Sequence, residues 1–201
     1  NLYSSSESRR LSFEYFDLLD SIEAHIERLN AGRPDLVFGP PSLLRKLAER
    51  QRAGELRISP RKVISVAEVL DDHDARFIGE AFGQRVHQVY QATEGFIGIT
   101  CREGTLHLNE DIIRVERDYL NPERTKFHPV ITDFSRTSQP IVRYLLNDIL
   151  TLRSEPCPCG SIFTALEGIE GRSDDVLEFF GSAGKAIEVY PDFIRRSLLF
   201  A

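Results

Sequence analysis

Residues 63–90 read VISVAEVLDDHDARFIGEAFGQRVHQVY, and their pattern predicts a strand, a helix and a second strand. It opens with a short apolar run at 63–66, which is typical of a buried strand. Asp71 and Asp72 can cap the helix that follows, and its apolar residues share one face: Phe77, Ile78, Ala81 and Phe82. A second strand is predicted at 85–90. A strand, a helix and a strand joined by short links predict a right-handed crossover between parallel strands.

The same alternation continues towards the N-terminus. Ser12 is a candidate N-cap of a first helix, whose apolar residues recur at helical spacing: Phe13, Phe16, Leu19, Ile22, Ile26 and Leu29. His25 falls on the polar side of this helix, where we expect it to be solvated. A short strand at 36–38 and a second helix, ending near Gly54, follow. The sequence therefore predicts an α/β fold with a parallel-sheet subdomain and flanking helices.

After Glu94 the pattern changes to short strand-like stretches separated by Gly, Asn, Pro and charged residues. These strands are predicted at 96–101, 105–107, 112–116, 130–134, 141–144 and 148–152. They predict a smaller, β-rich subdomain with the form of a distorted barrel. We divide the chain into an α/β subdomain at 1–95, a β-rich subdomain at 96–175 and a final segment at 176–201.

Composition excludes several classes of protein. The chain has 201 residues, 41% of them hydrophobic and 28% charged, with a net charge of −6. This net charge argues against a dedicated nucleic-acid binder, which needs a basic face, and no apolar run is long enough to span a membrane. Three cysteines are too few for a secreted disulfide scaffold, so we expect a reducing, cytoplasmic setting. No methionine is present, and we interpret the sequence as part of a longer chain.

Polar side chains follow two of the predicted parallel strands, at the edge of such a sheet where ligands bind. Ala67 and Glu68 follow the strand at 63–66, and Tyr90 to Glu94 follow the next one. A ring can stack on a base, a hydroxyl can contact a phosphate and a carboxylate can hold Mg²⁺. The alternative is that Tyr90 ends a strand in the core while Thr93 and Glu94 cap a turn.

Four segments, in order along the chain, resemble motifs of the adenylate-forming enzymes. Ser65–Glu68 resembles the Gly-Ala-Glu-Pro loop, and Tyr90–Glu94 resembles the aromatic-Gly-x-Thr-Glu motif. Arg143–Asp148 resembles Arg-Tyr-Arg-x-Gly-Asp, and Gly171–Asp175 resembles the Gly-Arg-x-Asp-Asp hinge motif. Cys-Pro-Cys-Gly at 157–160 and Leu-His-Leu-Asn-Glu-Asp at 106–111 make the chain most similar, within that superfamily, to the phenylacetate–coenzyme A ligases and the deazaflavin-coenzyme adenylyl synthetases. The resemblance extends from about residue 35 to residue 191.

The resemblance implies an ATP site. Ala67 and Glu68 would border the adenine, and Tyr90 would stack on it. Thr93 would contact the α-phosphate and Glu94 would bind Mg²⁺. The substrate carboxylate would attack the α-phosphorus to give an acyl-adenylate and pyrophosphate, and the acyl group would pass to coenzyme A or another thiol.

Two further residues complete the implied site. Asp148 would accept hydrogen bonds from both ribose hydroxyls, and Arg172 would lie near the ribose or phosphate. The resemblance thus implies three catalytic residues: Thr93, Glu94 and Arg172. The sequence departs from the family at Gln91, which replaces a Gly in the nucleotide- and substrate-binding motif, and at Leu145 and Asn147, which replace Arg and Gly. The acid could be aromatic, as the family expects, and a homodimer is possible.

Two parts of the family pattern are missing from the sequence. No Ser/Thr/Gly-rich phosphate loop precedes the motifs, and no domain with a catalytic lysine follows the hinge-proximal segment at 176–201. We therefore do not expect the chain to complete adenylation alone. The alternatives are a non-catalytic nucleotide-binding or interaction module and a zinc-stabilised structural domain.

Three cysteines and a histidine are candidate zinc ligands. Cys157 and Cys159 lie on a tight Cys-Pro-Cys-Gly turn, and Cys101 and His107 flank a turn in the same β-rich region. Together they would form a Cys₃His set, which suits structural Zn²⁺. The alternatives are small buried cysteines or a strained disulfide between Cys157 and Cys159.

Overall fold

The computed structural model describes residues 12–180 and 186–189. Within them lie three α-helices: α1 at Ile22–Gly32, α2 at Pro41–Arg52 and α3 at Asp72–Phe82. The N-cap of α3 is Asp71, as predicted, and its side chain accepts a hydrogen bond from the Asp74 amide at 2.8 Å. Most of the final segment at 176–201, including Lys185, and the serines at 4–6 lie outside the described residues.

The prediction that the first helix begins after Ser12 is wrong. The helix begins at Ile22, with Ser21 as its N-cap. Upstream of it, the Asp17 carboxylate accepts the Leu19 amide at 3.0 Å, a side-chain bond that competes with helix formation. Leu19 is 94% exposed. His25 is not solvated: it is 2% exposed, and its Nε2–H donates to the Asp17 carbonyl at 2.9 Å.

The predicted parallel strands are present. They are β1 at Leu36–Gly39, β2 at Lys62–Ser65 and β3 at Val86–Ala92, and both β1–β2 and β2–β3 pair in parallel. Buried apolar side chains from the strands and all three helices form one core, including Leu44, Val63 and Ile78. The α/β fold is thus confirmed, with helices packed against a parallel unit at one end of the sheet.

The strands after β3 continue the same sheet. They are β4 at Gly95–Thr100, β5 at Leu106–Leu108, β6 at Ile113–Tyr119, β7 at Lys126–Asp133, β8 at Ile141–Leu145, β9 at Asp148–Leu152 and β10 at Ala165–Arg172. The order among the described strands is β1-β2-β3-β4-β5-β10-β9-β7-β6, with β8 on β7, and the pairings beyond β3 are antiparallel. A separate pair joins β11 at Leu177–Phe180 to β12 at Ala186–Val189.

A second core, built around Ile97, Phe127 and Leu150, lies within this antiparallel part. The β3–β4 hairpin joins the two parts of the sheet, so the sheet itself has no break at residue 95. The division of the chain into subdomains stays a prediction.

The sequence reasoning missed β10, which lies between β5 and β9. Its register against β9 shifts twice, between Leu166 and Gly168 and between Ile169 and Gly171. Glycines at bulges remove the alternation of apolar and polar residues by which a strand is recognised.

Candidate functional site

Tyr90, Asp148 and Arg172 meet where β3, β9 and β10 bring their ends together. The Tyr90 hydroxyl donates to Asp148 Oδ2 at 2.7 Å. Arg172 is the register partner of Asp148, and its Nε lies 3.8 Å from Asp148 Oδ1. Tyr90 is 7% exposed, Asp148 is 16% exposed and Arg172 is 66% exposed at the side chain. A cation and a phenol therefore flank one largely buried carboxylate.

The electrostatics of this group are set by burial. Burial of Tyr90, followed by the charge of Asp148 and the hydrogen bond to it, raises the pKa of the phenol well above its ordinary value. The charge of Glu94 acts in the same direction, whereas that of Arg172 opposes it. Tyr90 is therefore protonated and able to donate to Asp148 at any physiological pH.

The predicted phosphate-contacting residues Thr93 and Glu94 form the turn between β3 and β4. The Arg136 guanidinium donates to the Thr93 carbonyl and lies 3.5 Å from buried Asp133. Burial alone would raise the pKa of Asp133, but hydrogen bonds from Ser135 and the charge of Arg136 outweigh it and hold that pKa below its usual value. Arg136 thus anchors the turn through its backbone, while Thr93 is exposed and Glu94 is half-buried.

The predicted adenine-bordering loop is held by α2. Ala67 adopts a left-handed conformation, with φ of 68°. The Glu68 carboxylate accepts the Ser42 amide at 3.2 Å and the Ser42 hydroxyl at 3.0 Å. The N-cap of α2 is Pro40, which makes no side-chain capping bond, so Glu68 supplies the missing acceptor at this helix end.

Gln91 lies beside a register shift in the β3–β4 hairpin, and its side chain is exposed. Side chains along a strand alternate between its two faces, and on β3 that of Tyr90 lies in the core. The register shift interrupts this alternation at Gln91. The substituted position is therefore accessible to a bound molecule.

The four candidate zinc ligands come together. One ligand atom from each of Cys101, His107, Cys157 and Cys159 lies within 4.8 Å of the others. The sulfurs of Cys101 and Cys157 are 3.7 Å apart, and Cys159 Sγ is 3.5 Å from His107 Nε2. All three cysteines are free thiols, so the structure contains no Cys157–Cys159 disulfide.

These distances fit a tetrahedral metal. Zn–S bonds of about 2.3 Å and Zn–N bonds of about 2.05 Å at the tetrahedral angle separate two sulfurs by about 3.8 Å and a sulfur from a nitrogen by about 3.6 Å. His107 Nδ1–H donates to the Phe163 carbonyl at 3.0 Å, which leaves Nε2 as the ligand atom. Hydrogen bonds from the Thr105 side chain and the Cys159 backbone lower the pKa of Cys157 to about 6. At Cys159 the Ser161 amide lowers the pKa, but burial and the neighbouring Cys157 and Cys101 thiols outweigh it and raise that pKa.

A groove of about 320 Å³ lies between the N-terminus of α3 and the sheet. It is lined by Gln88, Thr100, Arg153 and Gly168, among others, and by neither Tyr90 nor Asp148. The structure thus joins Tyr90, Asp148 and Arg172 directly, and the charge of Glu94 contributes to the raised pKa of Tyr90. The structure gives Glu68 a contact with α2 instead.

Sequence reasoning missed Arg136 and Ser42, the residues that hold two of the predicted loops. Arg136 follows the turn at 133–135, where Asp133 accepts the Ser135 amide at 2.7 Å, and such an Asp-x-Ser turn is visible in a sequence. Ser42 lies second in a helix that starts with Pro41, and a serine there offers both an amide and a hydroxyl to an acceptor.

Comparisons with known proteins give partial matches in sequence and fold. No protein-family model matches the chain. Phenylacetate-coenzyme A ligase of Thermus thermophilus is 26% identical over 184 residues, which cover 83% of this chain and 39% of that protein. Protein CapK of Staphylococcus aureus is 26% identical over 163 residues, covering 79% of this chain and 36% of that protein. The chain thus spans less than half the length of these relatives.

Among solved structures, the chain resembles 2-hydroxyisobutyryl-CoA ligase in an open conformation, in complex with 2-HIB-AMP and CoA. The TM-score is 0.68, the identity is 24%, and the match covers 89% of this chain and 44% of the ligase. At this identity the likeness establishes the fold.

Within the described residues, no helix is long and apolar enough to cross a membrane.

Proposed function

We propose that this chain forms the nucleotide-binding part of an AMP-forming acyl ligase. The proposal is supported by its relationship, in sequence and fold, to the adenylate-forming acyl ligases. The reaction would join a carboxylic acid to AMP with release of pyrophosphate and then pass the acyl group to a thiol. The observation that carries the proposal is the contact of Tyr90 and Arg172 with the Asp148 carboxylate.

Asp148 would bind the ribose. A carboxylate with two oxygens can accept one hydrogen bond from each of the 2′- and 3′-hydroxyls. Tyr90 occupies one lone pair of Oδ2 and fixes the plane of the carboxylate, so the ribose meets acceptors already oriented for it. The ring of Tyr90 is almost wholly buried, so the part of Tyr90 that we assign to the site is its hydroxyl, which orients the Asp148 carboxylate. Stacking of the ring on adenine stays a prediction. Ala67 and Glu68 would border that adenine.

Thr93, Glu94 and Arg172 would act on the phosphate. The substrate carboxylate oxygen forms a bond to the α-phosphorus, and the bond from that phosphorus to the bridging oxygen of pyrophosphate breaks. Negative charge grows on the α-phosphoryl oxygens, where the Thr93 hydroxyl and the Arg172 guanidinium would stabilise it. The Glu94 carboxylate would hold Mg²⁺, which would supply charge neutralisation to the phosphates. In the second step a thiol, such as that of coenzyme A, displaces AMP from the acyl carbon.

The acid would lie beside Gln91, where the family motif has a glycine. The exposed amide of Gln91 offers a donor and an acceptor to the substrate, which favours an acid with a polar substituent over a plain aromatic acid. A small-molecule acid, ATP and coenzyme A are therefore the partners we propose, in a reducing cytoplasm that keeps the three thiols free.

Calorimetry on the 201-residue chain tests the nucleotide site. We expect AMP to bind more tightly than 2′,3′-dideoxy-AMP by about tenfold or more, since the analogue leaves acceptors of Asp148 unpaired. Asp148→Asn should remove most of that difference, whereas Asp118→Asn on β6 should preserve it. Equal binding of the two nucleotides by the unaltered chain would contradict the assignment of Asp148.

Turnover separates an enzyme from a binding module. With ATP, Mg²⁺ and a panel of carboxylic acids, an adenylating enzyme releases pyrophosphate and forms hydroxamates when hydroxylamine is added. Since we do not expect the 201-residue chain to complete adenylation alone, the assay is run on this chain joined to the phosphate loop and the lysine-bearing domain of a related ligase. Nucleotide binding with no pyrophosphate from any acid in that fusion would favour a non-catalytic nucleotide-binding module.

We further propose that Cys101, His107, Cys157 and Cys159 hold a structural Zn²⁺. Four protein ligands leave no open coordination position for chemistry. The ion would tie the end of β4 and the strand β5 to the loop between β9 and β10. Elemental analysis should give about one zinc per chain, and Cys159→Ser should reduce it, with Ser161→Ala as the control in the same loop. A metal-free protein of unchanged stability would contradict the site.

A further inference from the structure

Asn147 joins two segments of the proposed nucleotide site. It precedes Asp148 in the short link between β8 and β9. Its carbonyl accepts the Ser173 amide at 2.8 Å and the Ser173 hydroxyl at 3.2 Å. Its side-chain amide donates to Asp174 Oδ2 at 2.6 Å. One residue therefore makes hydrogen bonds to both residues that directly follow Arg172.

The strands at this point do not fix Arg172 by themselves. The pairing of β10 with β9 is interrupted by a register shift between Ile169 and Gly171, and Gly171 has a φ of 118°. Arg172 and Asp148 are the last partners of the ladder. The bonds from Asn147 extend the pairing past that last pair and hold the 3₁₀ turn at Ser173–Asp175 in place.

The contact between Arg172 and Asp148 is loose enough to depend on this support. Their closest charged atoms are 3.8 Å apart, beyond hydrogen-bonding distance, and the arginine side chain is mostly exposed. An ion pair at this distance, with one partner mostly exposed, contributes little to its own geometry. The position of the guanidinium is therefore set by the backbone on which it stands, and Asn147 holds that backbone.

We propose that Asn147 is a positioning residue, which holds the chain that carries Arg172 against Asp148 so that both groups face the same bound nucleotide. This inference rests on the proposed function. It assigns a role to the residue at which the sequence departs from the glycine of the family motif, because a glycine has no side chain to reach Asp174.

The test combines amide hydrogen exchange with nucleotide binding in the 201-residue chain. Asn147→Ala removes the side-chain bond to Asp174 and keeps the carbonyl that accepts the Ser173 amide. Because the 3₁₀ turn is then held at one point fewer, we expect the Ser173 amide to exchange about tenfold faster without nucleotide and AMP to bind about five- to twentyfold more weakly. Asn147→Asp should do the same or more, since it sets two carboxylates against each other at Asp174. The double variant Asn147→Asp with Asp174→Asn restores a donor–acceptor pair in the reverse sense, and both quantities should return to within about threefold of the original.

Asn121→Ala is the matched control. Asn121 is also heavily hydrogen-bonded, since its side chain bonds to Glu123, Thr125 and Lys126 in the β6–β7 turn. Its loss should lower the melting temperature and leave both the AMP affinity and the exchange of Ser173 unchanged. A general effect of stability on binding would instead appear in this variant as well.

The outcomes separate this inference from the proposed function. If the unaltered chain binds no AMP, the nucleotide site is wrong and the positioning role fails with it, while faster exchange in Asn147→Ala would still show that Asn147 holds the segment. If the chain binds AMP and Asn147→Ala leaves its affinity unchanged, the nucleotide site stands and the positioning role is wrong. Failure of the double variant to recover would overturn the Asn147–Asp174 bond as the cause.

Discussion

Replacing Tyr90 with phenylalanine removes one oxygen atom and leaves the buried ring in place. The lost bond is the 2.7 Å hydrogen bond from the phenol to Asp148 Oδ2. Hydrogen bonds to charged groups contribute about 1.5–3 kcal/mol to stability. Because Asp148 is 16% exposed, water can replace part of the bond, and we expect Tyr90→Phe to lower the free energy of unfolding by about 1–2 kcal/mol.

The same substitution should weaken nucleotide binding. Without the phenol, the Asp148 carboxylate can rotate away from the orientation that meets both ribose hydroxyls. A loss of about 1.4 kcal/mol corresponds to about a tenfold rise in the Kd for AMP. Tyr144→Phe is the control, since Tyr144 is exposed on β8, and we expect it to change neither quantity by more than about 0.5 kcal/mol.

Urea unfolding at several pH values adds a signature that belongs to Tyr90 alone. The pKa of Tyr90 is raised in the folded state, so above pH 10 the unfolded chain releases this proton while the folded chain keeps it. Stability should therefore fall with rising pH above 10, by up to about 1.4 kcal/mol per pH unit from this group. In Tyr90→Phe that contribution is absent, so the difference between the two proteins should shrink as the pH rises. A difference that stays constant up to pH 11.5, or an unchanged Kd for AMP, would refute the reasoning.

Three further perturbations test the surroundings of the site. Arg136→Ala should lower stability by about 1–2 kcal/mol and weaken ATP binding through the turn at Thr93, whereas Arg114→Ala, an exposed arginine, should cost less than about 0.5 kcal/mol. Glu68→Gln should destabilise the protein by about 0.5–1 kcal/mol in urea, because the start of α2 at Ser42 loses a charged acceptor. Removal of zinc by a chelator should lower the melting temperature, since the ion would close a loop of more than fifty residues between Cys101 and Cys157. In the chain-entropy model of cross-links, a constraint of that length on the unfolded chain contributes about 4 kcal/mol to stability.

The parallel unit could be predicted from the sequence because its local signals agree. At residues 63–90 the apolar run, the Asp71 cap and the helical spacing all indicate the same elements, and the structure contains them. The start of the first helix was predicted wrongly because its local signals disagree. Its apolar spacing extends back to Phe13, but the local bonds of Asp17 form a turn there, and spacing alone carries no information about such competition.

In the candidate site, the sequence predicted which residues take part but not the contacts between them. Tyr90 and Asp148 stand 58 residues apart, and only motifs taken together suggested that they meet. The bond between them, the anchoring of the Thr93 turn by Arg136 and the capping of α2 by Glu68 depend on where whole strands and helices lie. The sequence offered Cys101, His107, Cys157 and Cys159 as candidate zinc ligands, but only the fold brings residues 101–107 and 157–159 together.

The place of β10 constrains how the large sheet assembles. Among the described strands of that sheet it comes last along the chain, and it lies between β5 and β9 rather than at an edge. Until residues 165–172 have been synthesised, β5 and β9 each present an unpaired edge to other chains. We therefore expect a nascent chain that has not yet reached this point to need protection from a chaperone, and the two halves of the sheet to join only when β10 is inserted between them.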